Sequence, residues 1–221
     1  FDKAKKAKKK REGAIETVEK YKKELEKLKQ QETQFWEKEK LKEEKVNRKK
    51  EWYEKFHWFI SSEGFLCIGG KDATSNEIVV KKHTDKEDLV FHTDMAGSPF
   101  FIIKNGQEAG EDTINEIAQA TGSYSRAWKL GLASTKVFYV KPEQVTKQAQ
   151  SGEYVGKGSF MVYGKTTYVH PKLGMAIGLK EGIIIGGPVD AVKKNAEKHI
   201  VVIPGKFKKS DMAKKIRSKL K

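Results

Sequence analysis

Cysteine is nearly absent: Cys67 is the single one in 221 residues. That excludes an internal disulfide and any multi-thiolate zinc or iron–sulfur site, and it suits a reducing compartment. No apolar run approaches the ~20 residues a membrane helix needs, and the amino end is lysine-rich without the apolar stretch of a signal peptide. A cytoplasmic location without membrane contact is expected. Glycine and proline are all but missing from the first quarter, since 18 of 19 Gly and all five Pro follow residue 55, where turns between packed elements require them. Catalytic signatures are equally scarce. No G-x-G-x-x-G occurs. Gly164-Lys165-Thr166 does not complete a P-loop, because Ser159 stands where that motif needs glycine and Phe160-Met161-Val162-Tyr163 alternates as a strand does. Ser61, Ser98 and Ser123 lack a G-x-S-x-G setting, so no hydrolase nucleophile is indicated.

What is abundant is positive charge, 45 Lys+Arg against 30 Asp+Glu for a net +15. Residues 1–55 hold 20 basic and 13 acidic side chains, residues 204–221 hold 8 and 1, and the stretch between is nearly neutral. Three parts follow: a 1–51 arm helix, a 52–203 folded domain and a 204–221 basic C-terminal helix or tail. From Ala14 to about Glu54 good helix formers run without a break. Val18, Tyr21, Leu25, Leu28, Phe35 and Val46 recur on steps of three and four, the seam of a coiled coil. Glu32, Glu39 and Lys42 interrupt that seam, which favours packing against a partner helix of the intact protein over a parallel homodimer. The chain opens on Phe1, as a piece of something longer would.

In the body, Phe56–Ile60 and Phe65–Ile68 flank Ser62-Glu63-Gly64 as a hairpin. Thr74 with Glu77 has capping-box spacing for a helix through Lys82, and Thr113 with Glu116 for a second one running to Gly131. Strands are predicted at Leu89–Phe91, Phe100–Ile103, Lys136–Val140, Phe160–Tyr163, Thr166–Val169, Met175–Leu179, Ile183–Ile185 and Ile200–Ile203. Gly164-Lys165 and Glu181-Gly182 read as tight hairpin turns. Asp190 has the position to cap a helix ending at Glu197, and Ser210 to open a basic one. Ten strands against three or four helices, without regular alternation, give an α+β fold: a mixed, largely antiparallel sheet with flanking helices, preceded by the long coiled-coil helix. A Rossmann fold or TIM barrel does not fit.

His92-x-Asp94 with Gly97-Ser98 falls where a strand gives way to a loop, a setting that often carries function. Metal binding or acid–base chemistry there lacks a second histidine or acidic cluster. A polar recognition pocket, or a histidine held by its aspartate, accounts for the residues as well. Basic residues lie near aromatics in several turns and at the termini, among them Lys71, Lys81, Lys82, Arg126, Lys129, Lys157, Lys165, Lys206, Lys208 and Lys209, a footprint suited to phosphates. Tyr124, Trp128 and Tyr154 have the chemistry to stack on bases, although their spacing equally suits a core.

Five blocks resemble one known family. Phe56-His57-Trp58-Phe59-Ile60-Ser61-Ser62, Ile68-Gly69-Gly70-Lys71-Asp72-Ala73 with Asn76-Glu77, His92-Thr93-Asp94-Met95-Ala96-Gly97-Ser98, Tyr124-Ser125-Arg126-Ala127-Trp128, and Ser151-Gly152-Glu153-Tyr154 running on to Gly158-Ser159-Phe160-Met161 are similar to the NFACT-R domain. They span about residues 52–170, and the basic coiled-coil helix before them fits that family's layout. One departure is Ala96, where many members place a second histidine. The resemblance implies a ribosome-associated quality-control factor of the NEMF and fibronectin-binding-protein-A type. Such proteins recognise large ribosomal subunits carrying peptidyl-tRNA and in several lineages recruit tRNA for template-free tail extension. The family's amino-terminal half is absent here, so this fragment alone is not expected to extend a chain.

Together these features point to a non-catalytic RNA-binding module without cofactor or metal. Its partners would be the large ribosomal subunit, tRNA or peptidyl-tRNA, rRNA, and the remainder of the full-length protein with its partner helix. Gly69, Gly70, Lys71, His92, Asp94, Gly97 and Ser98 would form the recognition surface, with Lys81, Lys82, Arg126, Lys157, Lys165, Lys206, Lys208 and Lys209 on phosphates. A stand-alone DNA or polyanion receptor, and an enzyme acting on tRNA esters through His92 and Asp94, are the rival readings.

Overall fold

The computed structural model describes residues 2–46, 49–148 and 155–220, with side chains in the arm described at 10, 11 and 13–33. The chain divides into two units, Phe1–Glu51 and Trp52–Lys221. The first is one helix, α1 (Asp2–Val46). It starts well before the expected Ala14, because lysine and alanine carry the helix back through Gly13, and it ends at Val46 rather than near Glu54. Trp52–Lys55 form a separate 3-10 turn. Val18, Tyr21, Leu25 and Leu28 of the seam are exposed. Phe35, Glu39, Lys42 and Val46 lie outside the described side chains. No described helix is long and apolar enough to cross a membrane.

The second unit is α+β. Strands β1 (His57–Ile60), β2 (Leu66–Gly69), β3 (Leu89–Thr93), β4 (Phe101–Ile103), β5 (Val137–Val140) and β8 (Thr167–Val169) form one sheet in the order β1-β2-β4-β3-β5-β8. Every pairing in it is antiparallel. Both faces of the central strands are covered, which explains why those strands read as apolar runs rather than strict alternation. Helix α3 (Glu111–Ser123) supplies Ile117, Ala118 and Ala120 to the face holding Phe59, Phe91, Phe101 and Val137. Helix α2 (Ala73–Lys82) supplies Val79 to the other, with Ile68, Val90, Phe100, Ile102 and Phe138. A two-stranded ladder of β6 (Val145–Thr146) and β7 (Met161–Val162) packs on that second face. A third sheet, β10 (Ile183–Gly187), β9 (Met175–Lys180) and β11 (Lys198–Val202), carries α5 (Val189–Asn195) and α6 (Lys209–Leu220).

Five local expectations need correction. Gly164-Lys165 is not a hairpin turn: β7 pairs with β6 while β8 pairs with β5, and Gln144 Nε2 donates to the carbonyls of Tyr163 and Lys165 to hold the crossing segment. The cap of α2 is Asp72, whose carboxylate accepts from Ser75 N at 2.8 Å while Ser75 Oγ answers the Asp72 amide. Glu77 is drawn away to Lys81 and Gly158 N. Thr113 and Glu116 do not cap α3 either; they bind the β1–β2 turn, Thr113 through Glu63 and Ser61, and Glu116 by accepting from Ser62 N at 2.9 Å. The helix run to Gly131 breaks at Ser125, whose extended backbone and hydroxyl start a new short helix, α4 (Arg126–Lys129). Asp190 sits in the first turn of α5, with Pro188 at the cap position. The Glu181-Gly182 hairpin forms as predicted, both residues having positive φ.

Candidate nucleic-acid interface

The strand registers put one end of the large sheet in order: His57 opposite Gly69, Gly69 opposite Phe101, Thr93 opposite Val137, and Val137 opposite Val169. The Gly70-Lys71 turn, the 94–99 loop, Lys136 and His170 therefore emerge along the same edge. Asn76 fastens two of these loops. It is buried in the first turns of α2; its Oδ1 accepts from Phe100 N at 3.1 Å and its Nδ2 reaches Ser98 O at 3.5 Å. Gly70 packs directly on Asn76 and donates its amide to Phe100 O at 3.1 Å.

His92 lies on the α2 face of β3. Its Nε2 stands 3.2 Å from the Ser98 carbonyl, to which it donates when that nitrogen carries the proton, and its ring stacks on Phe100 at 4.1 Å. Burial lowers its pKa below the usual 6.5, opposed by the Ser98 and Thr93 backbone and by the Asp94 charge, so the ring is neutral at neutral pH. The carbonyl and Phe100, not the aspartate, hold this histidine. Asp94 instead faces Lys136, 3.6 Å from Nζ, with both side chains about half exposed.

Lys157 joins the same edge from afar in sequence. Gly158 N donates to Glu77 Oε2 at 3.2 Å, and Gly158 packs against Ala73, which seats that loop on the start of α2. The Ser75 hydrogen bonds first, and the Lys157 charge to a lesser degree, lower the Asp72 pKa there. Lys147 reaches Glu77 Oε2 at 3.5 Å and lies over Phe160. On the opposite face His57 stacks on Tyr124 at 3.9 Å, and Arg126, exposed, follows two residues later. Tyr124 is therefore largely packed rather than free to stack on a base, and Tyr154 lies outside the described residues.

Of the residues picked from sequence, the fold brings Gly69, Gly70, Lys71, His92, Asp94, Gly97, Ser98 and Lys157 to this end, with Arg126 adjoining through Tyr124 and His57. Lys82 closes α2 at its far end, and Lys81 is engaged with Glu77 at 2.6 Å. Lys165 is exposed on the β7–β8 crossing. Lys206, Lys208 and Lys209 lead into α6, which packs on β11 and β9. The sequence did not single out Lys136, Lys147 or Asn76; the only signal for the last was its place in the Gly-Gly-Lys-Asp block.

His57 gives this edge a pH signature. Burial first, and the Lys71 charge second, lower its pKa from 6.5 to about 4. The folded state thus prefers the neutral ring, a contribution complete above pH 6.5 and lost as pH falls toward 4. Allowing for solvent at part of the ring, the loss is on the order of 2 kcal/mol. Thermal melts of wild type should fall across that window more steeply than those of His57→Phe; parallel curves would contradict the assignment.

Residues 55–164 match the family described as the NFACT protein RNA binding domain. The chain is 40% identical over 179 residues to the archaeal Rqc2 homolog aRqcH of Methanocaldococcus jannaschii, covering 78% of this chain and 26% of that protein. It is 41% identical over 134 residues to the ribosome quality control complex subunit NEMF homolog of Drosophila melanogaster, covering 60% and 13%. The C-terminal part of the fibronectin/fibrinogen-binding protein of Streptococcus suis aligns over 58% of this chain and 49% of that one, at 16% identity and a TM-score of 0.47. The chain spans about a quarter or less of the curated relatives it matches. Its body carries the NFACT RNA-binding domain from the aromatic opening of β1 to the β7–β8 crossing, and the chain belongs to the NFACT family.

Proposed function

We propose that this chain is the non-catalytic RNA-binding portion of a cytoplasmic ribosome-associated quality-control factor, binding tRNA or rRNA on large ribosomal subunits. The convergence of Lys71, Lys157, Lys136 and Arg126 along one sheet end supports it above all. These cations come from four separate stretches of sequence, and the fold lines them along one edge where a phosphate backbone would run. The names of the relatives, with Rqc2 and NEMF among them, support the ribosomal setting. His92 serves as a packed, neutral strut between Phe100 and the Ser98 carbonyl. An exchange of protons with a tRNA ester would need the ring open to solvent and its Nε2 free of the Ser98 carbonyl. The exposed seam of α1 suits a partner helix from the remainder of the full-length protein, and the three-part division into arm, domain and basic tail fits a module that is placed by its arm and grips with its body.

Charge reversal at Lys71 and Lys157 together tests the edge. Each phosphate left without its cation should lower the log–log salt slope by about 0.7 to 0.9. The double variant should therefore bind tRNA at least about tenfold more weakly near physiological salt and with a shallower slope, measured by fluorescence anisotropy. A double reversal of Lys82 and Lys165, away from the edge, should cost several-fold less. Equal weakening by the two pairs would leave only diffuse charge, as the polyanion-receptor reading expects.

A further inference from the structure

Aromatic rings cross the α2 face of the large sheet in an unbroken row. Phe100 stacks on His92 at 4.1 Å, His92 meets Phe138 edge-on at 6.0 Å, and Phe138 meets Tyr168 edge-on at 6.0 Å. The row begins buried and ends in the open: Phe100 is 3% exposed, Phe138 8% and Tyr168 41%. Helix α2 packs on the part of the face nearer β2 and β4, and the β6–β7 ladder adds Val145 and Val162 to the same face. Strand β8 is the sheet's edge. Tyr168 therefore stands on a rigid strand, backed by core rings, with its own ring accessible.

A cation is already placed at that ring. Lys136 Nζ lies 3.8 Å from the Tyr168 ring centroid and 3.6 Å from Asp94 Oδ2. Ion pairs this exposed contribute little, so Lys136 exchanges partners at small cost. An aromatic ring on a sheet surface, covered on one face by an ammonium that can swing out to a phosphate, is an arrangement that takes an unpaired base on the ring and its phosphate on the cation. Base-paired RNA keeps its faces stacked inside the helix and cannot use it. Resting on the RNA-binding function proposed above, we propose that Tyr168 and Lys136 form a stacking subsite for an unpaired nucleotide, and that Asp94 acts against it by competing with the phosphate for Lys136.

The competition gives the test its sign. Asp94→Asn should tighten single-stranded binding several-fold, whereas an Asp94 that recognises or reacts with RNA would make the same variant weaker. For the ring, a single-stranded RNA octamer carrying one 2-aminopurine and a blunt RNA duplex of equal phosphate count should be titrated at fixed salt against the whole chain and against Tyr168→Ala and Tyr168→Phe. Tyr168→Ala should weaken the octamer roughly 10- to 100-fold and the duplex less than about twofold, and should abolish the 2-aminopurine quenching. Tyr168→Phe, which keeps the ring, should bind within about twofold of wild type and keep the quenching, and circular dichroism should confirm that both variants are folded. Persistent quenching in Tyr168→Ala, or equal weakening on octamer and duplex, would overturn the stacking subsite while leaving RNA binding standing. Failure of the wild-type chain to bind either RNA would overturn both.

Discussion

Replacing Gly70 by alanine should destabilise the body by at least about 3 kcal/mol and abolish the proposed RNA edge with it. A Cβ at this position would lie 2.7 Å from Asn76 N and 2.8 Å from Asn76 Cα, and closer still to the Asn76 side-chain oxygen. None of these atoms is the free end of a flexible chain. The first two are helix backbone, and the side-chain amide is buried and bonded to Phe100 N and Ser98 O. Relief requires α2 to move off the sheet, which breaks both bonds and releases the carbonyl that holds His92. For a unit of this size the melting temperature should drop by roughly 6–12 °C. Removing the side-chain amide as well, in Gly70→Ala with Asn76→Ala, should not restore it, because the backbone conflict remains. A single variant melting within about 1 °C of wild type would show that the junction yields more easily than its packing implies.

Asp88→Ala should cost about as much at the other end of the sheet while sparing the RNA edge. The Asp88 side chain has no exposed surface, and its two oxygens accept in different directions: Oδ2 from Lys104 Nζ at 2.6 Å and Asp85 N at 2.8 Å, Oδ1 from Asn105 N at 2.9 Å. Truncation orphans two backbone amides and leaves Lys104, only 20% exposed, to the mostly solvated Asp85 and the carbonyl of His83. Breaking a buried pair from one side typically costs about 3–5 kcal/mol. Urea unfolding should show a midpoint shift of that size with the slope unchanged, and Lys104→Met added to Asp88→Ala should recover part of it. Because Asp88 precedes β3 and the RNA edge follows it, the folded Asp88→Ala chain should bind tRNA as wild type does. A destabilisation below about 1 kcal/mol would contradict the burial argument.

These two sites also mark what sequence alone conveyed. The strands were legible where apolar β-branched and aromatic residues run together, as at Val90-Phe91 and Phe101-Ile102-Ile103, since a sheet covered on both faces leaves that imprint. Their partners were not. Gly164-Lys165 has the composition of a hairpin turn, yet long-range pairing of β8 with β5 won, and composition carries no record of it. Helix caps failed for a related reason. Thr74/Glu77 and Thr113/Glu116 have the correct spacing, but Glu77 and Glu116 are claimed by groups 81 and 54 residues away in sequence. The site divides likewise. Gly70, Lys71, His92 and Ser98 could be picked out as short blocks, whereas Lys136 and Tyr168, far apart in sequence, become neighbours only through the β5–β8 register. Lysine density along the chain did not tell which face of the fold Lys206, Lys208 and Lys209 reach; they lead into α6, which packs on β11 and β9.

Recognition of RNA by shape, beyond charge alone, is decided by titrating the chain against tRNA, duplex DNA of equal phosphate count and purified large ribosomal subunits, each across a salt series. A preference for tRNA or subunits should persist at physiological salt, after the counterion-driven part common to all three has faded. Equal affinity for all three, vanishing together as salt rises, would be incompatible with shape recognition by this fold.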